Sequence, residues 1–287
     1  MDSSGTAAIR PAQLALHMLT PRAVARRGGL WIEGAERLWF TLDGERVALL
    51  RVRGRHPPVL LVHGWEGASA DFVDVLPALL ATGHGALLLD LPAHGQSGGR
   101  TMTLPAAARA VFECGRRYGP LHAAVAHSLG AAALGEAMRA GLGVGRAVML
   151  APPRRYLDGV DAAVRACGYD AQARGELLAA LHRHGVDAAA LDLRSAVAAL
   201  EVPGLIVHGE EDGVLPLAAG RSVAAAWPGC RFVAMPGLGH RHILRDARVV
   251  DEIVRFVTAP GPDAAAPAPL HSSGRSGSTY FAGGLPS

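Results

Sequence analysis

Ala126-His127-Ser128-Leu129-Gly130 lies between an apolar run, Leu-His-Ala-Ala-Val at 121–125, and a helix-forming stretch, Ala-Ala-Ala-Leu-Gly-Glu-Ala-Met-Arg-Ala, at 131–140. This order demands a buried strand, a sharp turn and a helix in immediate succession, which few architectures accommodate. In such a turn the serine takes a strained backbone conformation that projects its hydroxyl, and small neighbours are needed to avoid collisions. The usual pattern is Gly-x-Ser-x-Gly; here Ala126 holds the first small position and Gly130 the last. A serine that merely caps a helix is the plainer alternative. The strand before it and the helix after it weigh against that reading.

The rest of the chain repeats the alternation. Leu38 onward reads as two strands joined at Asp43-Gly44, a dipeptide suited to tight hairpins. Buried strands follow in Pro-Pro-Val-Leu-Leu-Val-His-Gly at 57–64, Gly-Ala-Leu-Leu-Leu-Asp-Leu-Pro at 85–92, then at 121–128, 145–153, 204–212 and 230–237. Between them lie helical stretches near 70–81, 104–118, 129–140 and 217–226, with a closing one near 246–257. The expectation is an α/β fold with a mostly parallel eight-stranded sheet flanked by helices, opening on an antiparallel hairpin.

Between Pro153 and Pro203 the rhythm breaks into helical composition without a convincing strand, which suggests a helical cap over about 153–200 inserted in a domain of 31–258. Residues 1–30 form an expected helical extension, with Leu14, Leu16 and Leu19 packing on the domain rather than on a membrane. From Ala259 to Ser287 the chain is rich in Ala, Pro, Gly and Ser and lacks an apolar pattern, so a disordered tail is expected.

Half the residues are apolar and 18% charged, enough to build a sizeable core. The net charge of +3 comes from scattered basic residues interleaved with acids, a poor footprint for nucleic acid. Cys114, Cys167 and Cys230 form no CxxC and leave one thiol over, so neither a disulfide framework nor a zinc site is indicated. The run Leu-Ala-Leu-His-Met-Leu near the start makes a poor secretory segment, and no stretch reaches the roughly 18 apolar residues of a membrane span. A reducing cytoplasm, no membrane insertion and no cofactor are the expectations.

A serine hydroxyl near neutral pH needs a base. Of thirteen histidines, His240 stands out because Gly237-Leu238-Gly239 precedes it in a loop after the last expected strand. His242, at the start of the closing helix, is the nearest rival. The imidazole in turn needs a carboxylate to fix its tautomer. Asp212 ends Gly-Leu-Ile-Val-His-Gly-Glu-Glu-Asp, whereas Glu210 and Glu211 fall earlier in the turn. Asp90 is a fallback whose expected role is structural. Backbone N–H groups must meet charge that develops on a substrate oxygen, and His63-Gly64-Trp65-Glu66-Gly67, following a strand, offers the N–H of Trp65 opposite that of Leu129. His182 with His184, and His240 with His242, are too badly spaced for metal pairs on a helix. Arg154 and Arg155, at the entry to the cap, are read as a solvated face or as contacts for an acidic substrate.

Taken together, Leu-Val-His-Gly-Trp-Glu-Gly, Asp-Leu-Pro-Ala-His-Gly-Gln-Ser, Ala-His-Ser-Leu-Gly-Ala, Val-His-Gly-Glu-Glu-Asp-Gly-Val-Leu-Pro and Gly-Leu-Gly-His-Arg-His-Ile-Leu resemble the α/β-hydrolase superfamily from about Leu38 to Val257. The resemblance implies Ser128 as nucleophile, His240 as base, Asp212 as acid, and Trp65 and Leu129 as oxyanion donors. It implies hydrolysis of a small or medium acyl ester through an acyl-enzyme, with a small-molecule ester or thioester as the only partner expected. A thioesterase, a carbon–carbon bond hydrolase, an acyl transferase or perhydrolase, and a noncatalytic ligand-binding member of the fold stay open, because the fold hosts many chemistries. Serine at 128 argues against the members that use an aspartate nucleophile.

Overall fold

The computed structural model describes residues 9–22 and 30–260. Strand β1 (Glu36–Leu42) turns back into β2 (Glu45–Val52) through Asp43 and Gly44, whose φ values of 50° and 82° are those of a two-residue hairpin turn. Six more strands follow: β3 (His56–Val62), β4 (His84–Leu89), β5 (Ala123–His127), β6 (Ala147–Leu150), β7 (Gly204–Gly209) and β8 (Arg231–Met235). They form one sheet in the order β1-β2-β4-β3-β5-β6-β7-β8, antiparallel only at β1–β2 and β2–β4.

The continuous apolar runs are explained by burial on both faces. Leu60, Val62, Leu87 and Leu89 point into one core layer, while Val59, Leu61, Ala86 and Leu88 point into the other, as period-two side chains must. The first layer is covered by helices α3 (Leu104–Tyr118), α4 (Leu129–Arg139) and α8 (Leu217–Ala226), the second by α2 (Val75–Ala81) and α9 (Ala247–Thr258). The stretch expected as one helix over 70–81 is divided: a 3₁₀ turn spans Ser69–Phe72 and α2 begins at Val75.

The span 153–200 holds three helices, α5 (Tyr156–Cys167), α6 (Ala171–Arg183) and α7 (Leu193–Val197). Packing separates what composition grouped. Leu193, Ala196 and Val197 of α7 are buried in the main core beside α4 and α8. In contrast, Val160 of α5 and Leu177, Ala180 and Leu181 of α6 form a small core of their own with Ala15 and Leu19. Those last two belong to α1 (Pro11–Leu19), the helix within the N-terminal extension. Leu16 departs from the expected apolar stripe and is 46% exposed, since a residue two positions from Leu14 cannot share its helix face. The tail beyond residue 260 lies outside the described residues. No helix among the described residues is long and apolar enough to cross a membrane.

The order in which strands are added reverses between the parallel neighbours β3 and β5: β4 lies on one side of β3, while β6, β7 and β8 continue on the far side of β5. Such a switch point opens a crevice at the carboxyl ends of the strands. The loop after β3 and the turn after β5 both open there.

Candidate active site

Ser128 is the one residue between β5 and α4, with φ 53° and ψ −124°. Its N–H donates to the Leu150 carbonyl (2.9 Å), extending the sheet, and its own carbonyl accepts from Ala131 (2.9 Å), starting the helix. Held from both sides, the backbone keeps a conformation that costs a non-glycine residue roughly 1–3 kcal/mol. Ala126 is fully buried in the first core layer, so its methyl packs in the core, where the additional carbon is accommodated. Gly130 has no such freedom. A Cβ there would lie 2.3 Å from the His63 carbonyl oxygen, so α4 can press against the end of β3 only without a side chain at that position.

His240 Nε2 is 2.9 Å from Ser128 Oγ, and His240 Nδ1 is 2.7 Å from Asp212 Oδ2. With Nδ1–H donating to the carboxylate, Nε2 is left as acceptor for the serine hydroxyl. Asp212 follows β7; its Oδ1 accepts the N–H groups of Val214 and Leu215, each at 2.8 Å. Burial resists ionisation of Asp212, but hydrogen bonds from His208, His240, Leu215 and Val214 outweigh it and hold the carboxyl well below the usual range. The His208 Nε2–H is shared unequally: Leu215 O at 3.0 Å is its hydrogen-bond acceptor, and Asp212 Oδ2 at 3.4 Å is a longer, weaker contact. Its Nδ1 is buried without a partner among the described residues, against Gly220 of α8.

The other candidates fall elsewhere. His242 is exposed at the start of a 3₁₀ turn whose other residues, Ile243 and Leu244, are buried. Glu210 and Glu211 are exposed. Asp90 ties the loop after β4 to the 3₁₀ turn after β3, accepting from the N–H of Gln96 (2.9 Å) and of Ser69 (2.7 Å). Arg154 and Arg155 line the cavity described below, but both guanidinium groups are engaged by Asp158 at 2.7–3.1 Å. Each pairs through Nε and Nη2, so the two arginines share one carboxylate and stay partly exposed.

The Gly64 loop reaches the serine turn, since a Cβ on Gly64 would stand 2.9 Å from Ser128 Cβ. Trp65 comes next and lines the same cavity as Ser128 and Leu129. Among the described residues, neither the Trp65 N–H nor the Leu129 N–H donates to a protein acceptor. The loop is braced from behind: Glu66 N–H donates to His94 Nε2 (3.1 Å), and Leu91 N–H to His63 Nε2 (3.0 Å). The cavity measures about 910 Å³, with apolar walls from Trp65, Leu104, Leu129, Leu191 and Leu193.

Sequence reasoning passed over the histidines that hold this arrangement. His127 stood inside the central motif, yet its role depends on a partner 113 positions away: its Nε2–H donates to the His240 carbonyl (2.9 Å), tying the histidine loop to the serine turn. Burial first, then the facing His240, pushes the His127 imidazole down to about 3, and burial, then His63, pushes His94 down to about 4. Both rings stay neutral in the fold at pH values where the unfolded chain, with histidines near 6.5, takes up protons. Stability is therefore expected to fall as pH drops from about 6.5 toward 4. Urea unfolding at a series of pH values checks this; a slope unchanged in both His94→Gln and His127→Asn would assign it to other groups.

A doubly wound sheet of this order, with a hydrogen-bonded serine, histidine and aspartate at its carboxyl edge, defines the α/β-hydrolase class. The family model described as the Alpha/beta hydrolase family matches residues 59–252, and the chain belongs to that family. No curated protein matches the chain. Among solved structures, it is similar to an esterase (EaEST) from Exiguobacterium antarcticum, with 17% identity, 78% of this chain and 100% of that chain covered, and a TM-score of 0.63. It is also similar to the esterase RhEst1 from Rhodococcus sp. ECU1013, at 19% identity, 79% and 99% coverage and a TM-score of 0.60. Alpha/beta hydrolase domain-containing protein 10 from mouse gives 16% identity, 77% and 96% coverage and a TM-score of 0.61. At such identities the likeness concerns the fold.

Proposed function

We propose that the protein is a serine hydrolase of small or medium acyl esters, acting through an acyl-enzyme on Ser128. The observation that carries this reading is the single imidazole of His240 bridging Ser128 Oγ and the Asp212 carboxylate, whose other oxygen accepts from Val214 and Leu215. In the proposed cycle, Ser128 Oγ attacks the ester carbonyl as its proton passes to His240 Nε2. The carbonyl electron pair moves onto oxygen, where the N–H groups of Trp65 and Leu129 receive it. Collapse breaks the bond to the alcohol, which leaves with the proton from His240, and a water molecule repeats the sequence to release the acid. Asp212 orients the ring and stabilises the imidazolium.

Trp65, Leu104, Leu129, Leu191 and Leu193 give the cavity an apolar stretch suited to an acyl chain, and its volume lies toward the upper end of the roughly 300–1,000 Å³ common for ligand pockets. Labelling with a fluorophosphonate probe, peptide mapping and Ser128→Ala as control test the reading. Modification confined to Ser128, with turnover of carboxylic esters, is the expected result. A folded protein that stays unlabelled would overturn it, and turnover of thioesters alone would reassign the leaving group.

A further inference from the structure

We infer that the N-terminal helix α1 is a wall of the acyl-binding space, with Met18 the residue that limits the length of chain admitted. The inference rests on the reading of the cavity as the acyl site. It concerns a segment that precedes the family match at residue 59, so the fold common to the family does not account for it.

Three separate attachments place α1. Ala15 and Leu19 are buried against Leu177, Ala180 and Leu181 of α6, and Tyr169 O–H donates to the Ile9 carbonyl, so α1 is bound to the cap helices. Met102 N–H donates to the Leu19 carbonyl (2.8 Å), which fixes the end of α1 to the loop that precedes α3. The Arg22 N–H and guanidinium then engage both carboxylate oxygens of Glu66, at 3.0–3.2 Å, directly beside Trp65. The cap and the Gly64–Glu66 loop are thus joined by one short segment of chain, and Met18 lies between the two anchors.

Met18 lines the cavity that holds Ser128, Trp65 and Leu129 and packs on the edge of the cap core in which its neighbour Leu19 is buried. A flexible thioether at such a wall adapts to apolar ligands and sets how far they extend. A smaller residue would lengthen the space, a larger one would shorten it. Loss of structure weakens all ligands together, so opposite effects of two substitutions on chain-length preference distinguish shape from damage.

The test measures calorimetric binding of straight-chain carboxylates from butyrate to dodecanoate in the Ser128→Ala protein, with Met18 and with Met18→Ala or Met18→Trp. The expected result is that the ratio of dodecanoate to butyrate affinity falls by roughly tenfold in the tryptophan variant and rises in the alanine variant, in line with the worth of about one methylene in an apolar pocket. An unchanged ratio in both variants overturns the inference, as does failure of the Met18 protein to bind any of the carboxylates. Because binding is read without turnover, an inert wild-type protein would sink the proposed hydrolysis and leave this result standing on its own.

Discussion

Ser128→Ala is expected to lower kcat on any ester substrate by about 10⁴- to 10⁶-fold, with an unfolding transition close to the parent's. The substitution removes the only atom that His240 Nε2 faces at 2.9 Å and leaves the backbone turn, the Leu150 hydrogen bond and the Cβ in place. What survives should be the modest catalysis supplied by oriented N–H groups and binding, and adding His240→Ala should cost little more, because the two side chains act as a unit. A companion substitution separates chemistry from strain. Ser128→Gly should be equally inactive yet more stable by about 1 kcal/mol, since φ 53° is a conformation in which a Cβ is a liability. Retention of more than a hundredth of the parent kcat in Ser128→Ala would move the nucleophile elsewhere.

Asp212→Asn should lower kcat by about 10⁴-fold without unfolding the protein. The amide oxygen can still accept from Val214 and Leu215, so the loop keeps its shape, but the side chain no longer demands the Nδ1–H form of His240. With the tautomer reversed, Nε2 carries the proton and cannot accept one from Ser128. The same substitution has a signature in stability. Asp212 is more acidic in the fold than in the unfolded chain, so its contribution is present above the unfolded carboxylate value near 3.9 and is lost as pH falls below it. Acid unfolding of Asp212→Asn should therefore be less steep below about pH 4. A variant with a tenth or more of parent activity would mean that another acid serves His240, and Asp90, whose two oxygens accept from the backbone of Ser69 and Gln96, is not placed to do so.

Much of this was legible in one dimension. The apolar runs of β3 to β7 announced their strands because a sheet buried on both faces leaves no polar alternation to blur them. Asp43-Gly44 declared its hairpin, since the turn it forms has positive φ at both positions, which Asp-Gly tolerates. Ser128 was legible because the strained turn needs a strand, small flanks and a helix in contiguous order. His240 and Asp212 followed from loops after the last two strands, positions that the fold brings to one edge.

The remainder depended on contacts between segments far apart in the chain. Composition could not divide α7 from α5 and α6, since the whole span reads as helical without a strand; the division lies in which core each apolar face enters. Nor could it reveal that α1 completes the cap, that Asp158 occupies both Arg154 and Arg155, or that His127 holds the loop of His240. The sequence by itself determined the local units and the residues with reactive chemistry, because backbone torsions and burial period are local properties. Only the tertiary structure decided which of thirteen histidines are held neutral, which charges cancel and how large the cavity is, because those depend on distances of a few ångströms between residues that no sequence spacing relates.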